Sequence, residues 1–302
     1  MITKLKQGVL SSFIIKIVAL VTMTFDHVGL FLMVIRPYSH DILEIANIFR
    51  IIGRLSLPLF IFMIVEGVIH TKNFNKYILR LGIMASLIST VLLIVAYGNF
   101  GEGTSSIAGA GNIFLDLTLS ALAIYLLKHR DNLIKSLTLL PLGVSIISFV
   151  VKCYEFSSGA SVIWYPSWLY LQYDWFSVLL AIMFYMAYKF ADYYISLAKE
   201  ENNIDESIWM VNGNYQILVK VLQVFSLVII SLLFYAFIYI WPKGVFWDEK
   251  TQLYAMISGA FILLYNGKRG YNAKWFQYGS YLYYPLHLLL LVIIYIAING
   301  GL

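Results

Sequence analysis

The chain has 302 residues, of which 61% are hydrophobic and only 12% charged, and its mean hydropathy is +0.80. That balance excludes an ordinary soluble protein, in which apolar and polar residues are nearly matched. The net charge of +5 is spread between apolar runs rather than gathered in one patch, which disfavours nucleic-acid binding.

The apolar runs recur from end to end without a long polar interval. Residues 1–302 are therefore expected to form one integral membrane domain of the all-α, multi-pass class. Met1 to Gln7 carries Lys4 and Lys6 and leads into Phe13 to Ile35. This run is too long for a signal peptide and contains Asp26 and His27, so it reads as a retained first span. A span needs about 20 mostly apolar residues. On that basis helices are expected over 12–35, 45–69, 75–97, 112–128, 134–152, 168–190, 215–241, 250–265 and 275–298, nine spans in all, the fourth, fifth and eighth being short.

Lysine and arginine in short loops collect on the cytoplasmic side. With the N-terminus inside, the inner set is Lys4, Lys6, Lys72, Lys76, Arg80, Lys128, Arg130, Lys135, Lys189, Lys199, Lys268, Arg269 and Lys274. The outer set is Arg36, Lys152, Lys243 and Lys250. Thirteen against four predicts an odd number of spans with the N-terminus inside and the C-terminus outside. Gly98 to Gly111 reads as a flexible outer loop, Glu155 to Trp168 as an aromatic interfacial segment, and Lys199 to Glu206 as a solvated inner loop. No internal repeat is visible, so inverted-repeat transporter architecture has no support. Cys153 stands alone, which excludes an internal disulfide and a thiolate metal cluster; no metal site is expected.

Ionisable residues inside spans are costly in hydrocarbon and normally face a bundle interior or a wet cavity. Helix rise converts position into depth: Asp26 and His27 lie roughly 21 Å along the first span, Arg54 roughly 14 Å below the outer face, and His287 roughly 18 Å from the inner face. Three helices thus bring them to similar depth. Asp26 and His27 project about 100° apart and must serve different partners. Asp26 suits an ion pair with Arg54 or Arg50, and His27 is either a hydrogen-bonded structural histidine or one that faces a cavity and does chemistry. Gly53, Ser56 and Pro58 read as a small-residue, kinked stretch that closes helix packing.

Nearer the inner face, Glu66 and His70 flank Gly67, and Tyr265-Asn266-Gly267-Lys268-Arg269-Gly270 offers two cations between glycines. That loop suits an anionic phosphate, although a positive loop is also what topology requires there. Asp116 and Asp174 sit near outer helix ends, where each taken singly suits a cap or a side chain reaching water.

Ile17-Val-Ala-Leu-Val-Thr-Met-Thr-Phe-Asp26-His27-Val-Gly29, then Ile52-Gly-Arg54-Leu-Ser-Leu-Pro58-Leu-Phe60 and Val65-Glu66-Gly67, resembles the TraX family of membrane proteins associated with pilin N-acetylation. Asn112-Ile-Phe, Tyr173-Asp174-Trp, Tyr265 to Gly270 and Tyr283-Tyr-Pro-Leu-His287 resemble the later blocks of the same family, in the expected order. The resemblance implies a polytopic acyltransferase that takes acetyl-CoA as acyl donor and serves an acceptor at the outer side. It implies functional roles for Asp26, His27, Arg54, Glu66, Asn112, Asp174, Lys268, Arg269 and His287.

Acyl transfer from a thioester needs a base, a donor to hold the oxyanion, and a site for the CoA phosphates. His27 is the expected base or acyl carrier, with His287 as alternate, Asp26 beside it and Arg54 facing developing negative charge. Lys268, Arg269, Asn266 and Glu66 are expected on the CoA side, and Asn112, Asp116 and Asp174 on the acceptor side. The acceptor stays open among a peptide, a pilin-like protein and a glycan. Two other classes fit the same residues: a proton-coupled transporter using Asp26, His27, Glu66 and His287 as a relay, and a non-catalytic scaffold.

Overall fold

The computed structural model describes residues 8–34, 39–97, 111–202, 214–240 and 249–299. The expected outer loop over 98–110, the part of the inner loop over 203–206, and Lys4, Lys6, Arg36 and Lys243 lie outside the described residues. The elements in order are α1 (Ser12–Val34), α2 (His40–Gly53), α3 (Ser56–His70), α4 (Phe74–Tyr97), α5 (Ile113–Lys128), α6 (Asn132–Ser136) and α7 (Leu139–Ser158). A 3₁₀ turn (Ser167–Leu169), α8 (Asp174–Asn202), α9 (Asn214–Ile240), a 3₁₀ helix (Glu249–Ile257), α10 (Ser258–Leu263) and α11 (Lys274–Asn299) complete them. Among the described residues the only extended pairing is an isolated bridge between Leu10 and Tyr265.

Each of the nine expected apolar segments is largely helical, but three are interrupted. The expected helix 45–69 is instead α2 and α3, joined by a tight turn at Arg54 and Leu55. Pro58 has no N–H to offer the Arg54 carbonyl and its ring crowds that carbonyl, so the helix breaks at Arg54. The expected helix 134–152 is α6 followed by α7 and runs on to Ser158, where Gly159 ends it in the left-handed conformation at φ 68°. The sixth segment begins with a 3₁₀ turn and becomes α-helical only at Asp174.

Among the described residues, six helical stretches are long and apolar enough to cross a membrane: Ser12–Met33, His40–His70, Phe74–Ile94, Asn132–Ser158, Ser167–Leu197 and Asn214–Phe237. α5 has 16 residues, about 24 Å, short of the hydrocarbon thickness. The nine-residue 3₁₀ helix before α10 exceeds the usual run of three or four.

α3 occupies the centre and packs against α1, α5, α8 and α10. Leu57, Leu59, Ile61, Phe62, Val65 and Val68 are buried around its circumference, as expected of a helix that is apolar on every side. Phe62, Phe176, Phe184, Leu180, Leu227 and Ile262 join it in one core. The outer helices invert the soluble pattern. On α4, Leu79, Ile83, Leu87 and Val91 recur every fourth residue and are all exposed, a stripe that suits lipid.

α1 and α2 approach closely because glycines face them. A Cβ at Gly29 would sit 2.8 Å from the Ala46 carbonyl oxygen, and one at Gly53 would overlap the Asp26 side chain. This small-residue contact brings Asp26 against the arginines of α2.

Candidate functional site

The adjacent residues Asp26 and His27 face different helices, as the 100° helical step requires. Asp26 turns to α2, where Arg50 Nη1 donates to Oδ2 at 2.8 Å and Arg54 Nη2 lies 3.3 Å from Oδ1. All three are buried, at 5%, 7% and 7% exposure. Arg50 makes the shorter contact, and the break at Pro58 sets Arg54 at the second oxygen. Tyr173 and Tyr284 lie within electrostatic range of Asp26, and Tyr173 within range of both arginines.

His27 turns to α11. Its Nδ1 is 2.6 Å from His287 Nε2, with ring centroids 4.8 Å apart and planes 28° apart. His287 Nδ1 lies 2.8 Å from the Tyr283 carbonyl oxygen. A carbonyl only accepts, so His287 Nδ1 carries the proton; with both rings neutral, His287 Nε2 accepts and His27 Nδ1 donates. His27 Nε2 then bears a lone pair, and no hydrogen bond to it is found among the described residues. Both histidines are buried, at 7% and 8% exposure, and Tyr284 packs edge-on against each ring at 5.7 Å. About one turn earlier on α1, Thr24 Oγ1 and the Tyr283 phenol meet at 2.6 Å.

The residues expected on the acceptor side form an anchoring set. Asn112, fully buried, caps α5 by accepting from Phe114 N at 3.0 Å and ties it to α4 by donating to the Ala85 carbonyl at 2.7 Å and Ser89 Oγ at 2.9 Å. Asp116, also fully buried, accepts from Gln172 N at 2.7 Å, Tyr173 N at 3.2 Å and Ser177 Oγ at 2.7 Å. That grip on the turn before α8 is what delivers Tyr173 beside Asp26. Asp174 pairs with Lys152 and adopts the left-handed conformation at φ 52°, and Lys152 also donates to the Leu171 carbonyl at 2.8 Å. Glu155 accepts from the Tyr170 phenol and from Val162 N, closing the segment after α7 over this end. Burial pushes the Tyr165 phenol in that segment above the usual tyrosine range.

The residues expected on the CoA side form a separate cluster. Glu66 accepts from the Tyr188 phenol and lies 3.6 Å from His70, while the Tyr265 phenol reaches Ser12 Oγ at 3.0 Å. Lys268 and Arg269 are exposed, and their carbonyls accept from Ser12 N at 2.9 Å and Phe13 N at 3.0 Å, so the loop caps the start of α1. Asn266 Oδ1 accepts from Lys268 N, shaping the loop. Its backbone is therefore used to hold α1, and only the two side-chain charges face outward. An open cavity of about 460 Å³ nearby is lined by residues including Lys72, Phe74, Tyr125, Lys128 and His129. Ser12 and His27 are 15 residues apart on α1, roughly 22 Å.

The structure thus unites Asp26, Arg54, His27 and His287 around α1, holds Asn112, Asp116 and Asp174 at one end, and puts Glu66, Asn266, Lys268 and Arg269 at the other. Sequence reasoning missed Tyr284 and Tyr283 as contacts of the histidines, Thr24 as the partner of Tyr283, and Lys152 as the partner of Asp174. Lys152 had a legible signal, a cation near the end of an apolar run; the tyrosines had none among 23.

A family model described as TraX protein matches residues 11–199. The probable fimbrial assembly protein FimC, serogroup H1, of Dichelobacter nodosus is 25% identical over 285 residues, covering 93% of this chain and 94% of that protein. No solved structure matches the chain.

Proposed function

This chain belongs to the TraX family, and from that premise we propose that it is a multi-pass acetyltransferase of the bacterial cytoplasmic membrane. It moves an acetyl group from acetyl-CoA on the inner side to an acceptor at the outer side. The observation that carries the reading is the histidine pair: the chain from the Tyr283 carbonyl through His287 leaves the His27 Nε2 lone pair uncommitted. A neutral imidazole nitrogen with an open lone pair can accept a proton from a bound acceptor.

In this reading His27 Nε2 takes the proton of the acceptor as the acceptor attacks the thioester carbonyl. Its Nδ1 proton, already bonded to His287, spreads the charge gained over two rings. Arg54 and Arg50, held beside His27 by Asp26, face the negative charge that develops on the carbonyl oxygen. The alternate course, attack by His27 Nε2 itself to carry the acyl group, uses the same nitrogen. The thiol leaves toward the inner side, taking up one proton.

The donor side is assigned to Lys268 and Arg269 because their exposed charges stand at the start of α1 and suit phosphates. An extended pantetheine arm running beside α1 would bridge the roughly 22 Å to His27. The nine-span topology with the N-terminus inside belongs to this reading, since it puts those cations where CoA is made. The acceptor side is assigned to the end bearing Asp116 and Asp174. The fimbrial assembly name of the Dichelobacter nodosus relative favours an exported, pilin-like protein as acceptor. A proton relay from Glu66 to His27 is disfavoured, since Ile15, Ala19 and Met23, all buried and apolar, line α1 between them.

Purified protein in liposomes with radiolabelled acetyl-CoA tests the proposal. Wild type should cleave the thioester and His27→Ala should not. A folded His27→Ala protein with full activity overturns the assignment.

A further inference from the structure

We propose that Thr24 and Tyr283 are positioning residues that decide which nitrogen of His27 carries the lone pair; the inference deepens the acyl-transfer reading and rests on it. α1 and α11 are pinned at two successive levels, Thr24 to Tyr283 and His27 to His287, each at 2.6 Å. Thr24 and His27 are three residues apart, and Tyr283 and His287 four, so each pair shares one helix face.

The direction of the upstream bond follows from its neighbours. Thr24 Oγ1 lies 3.0 Å from the Leu20 carbonyl oxygen, which can only accept, so the threonine proton goes there. The Tyr283 phenol then donates to Thr24 Oγ1. Tyr283 therefore acts on His287 in two ways while its tip is tied to α1: its carbonyl accepts from His287 Nδ1 at 2.8 Å, and its ring stacks on the imidazole with centroids 5.1 Å apart and planes 19° apart.

Pro285 lies between the two levels and has no N–H, so α11 lacks one backbone bond where it must stay rigid. The Thr24 contact supplies the missing constraint. Released from it, α11 can carry His287 away from its seat against His27, and the His287 ring, no longer held on both nitrogens, can turn about its side-chain bonds so that Nδ1 leaves the Tyr283 carbonyl. His287 would then be free to hold its proton on Nε2 and donate it to His27 Nδ1. That reversal moves the proton of neutral His27 onto Nε2, the nitrogen the chemistry needs empty.

The test uses the full chain in liposomes with radiolabelled acetyl-CoA, and compares Thr24→Val, which keeps shape and loses the hydroxyl, with Thr24→Ser, Tyr283→Phe and the double variant. Thr24→Val and Tyr283→Phe should each lower turnover about fivefold to tenfold, with the half-saturating acetyl-CoA concentration unchanged. The double variant should fall no further, because both changes remove one contact. Thr24→Ser should restore turnover. In ¹⁵N-histidine spectra, wild-type His27 should be protonated at Nδ1, and the two single variants should show a second population protonated at Nε2.

Wild-type turnover in Thr24→Val and Tyr283→Phe, beside an inactive His27→Ala, overturns the positioning role and leaves the base in place. Additive losses in the double variant, or an unchanged ¹⁵N pattern, overturn it as well. Full activity in His27→Ala sinks the underlying reading instead.

Discussion

Replacing Gly53 by alanine should destabilise the protein, although the same change elsewhere in a helix stabilises. Glycine within a helix costs about 0.5–1 kcal/mol relative to alanine, so Gly→Ala normally gains that amount where space is open. Gly82 on α4 and Gly279 on α11 are such positions, with nothing within 4 Å of an added Cβ. At Gly53 the added methyl would overlap Cβ, Cγ and Oδ1 of Asp26. The obstacle is not a flexible tip, because Asp26 is held by Arg50 at 2.8 Å and Arg54 at 3.3 Å. α1 and α2 must move apart, at the roughly 1–3 kcal/mol typical of overpacking. Gly53 ends α2, so its propensity gain is at the low end, leaving Gly53→Ala about 1–2 kcal/mol less stable than wild type. Gly82→Ala should be up to about 1 kcal/mol more stable. At roughly 2 °C per kcal/mol for a chain of this size, the two variants should melt several degrees apart in detergent, on opposite sides of wild type. Gly53→Ala should also lose acetyl transfer. If both variants melt above wild type, the close approach of α1 and α2 is wrong, and with it the geometry of the Asp26 cluster.

Asp116→Asn should cost about 2–3 kcal/mol, because the amide retains one acceptor oxygen where the carboxylate serves three donors, and buried donors are left unmade. A fall in melting temperature together with faster proteolysis after α7 checks it; an unchanged melting curve refutes the anchoring role. Arg269→Gln should raise the half-saturating acetyl-CoA concentration several-fold and flatten its salt dependence, since the attraction is between charges. Unchanged titration would return Arg269 to a purely topological role.

Class and the main ionisable residues were readable before any fold. The apolar runs fixed where helices form, and the helical step already required Asp26 and His27 to part company. Breaks were harder to see: Pro58 was visible, but a proline near a helix start can end one helix or open the next, and only the turn at Arg54 shows that it does both. Asp116 and Asp174 read singly as caps or as side chains reaching water; instead both are buried and reach across helices, Asp116 to the turn before α8 and Asp174 to Lys152 of α7. Their common effect on Tyr173 depends on α5, α7 and α8 meeting.

Composition and periodicity by themselves determined an all-helical membrane protein with polar groups at matching depth, because transfer cost and helix rise are properties of single segments. Tertiary structure alone decided which groups touch: Asp26 with two arginines rather than one, His27 with His287, and Tyr283 with Thr24 across 259 residues of chain. Helix rotation and lateral packing choose such partners. In a bundle where every helix carries apolar residues on most sides, the hydrophobic pattern leaves that rotation undetermined.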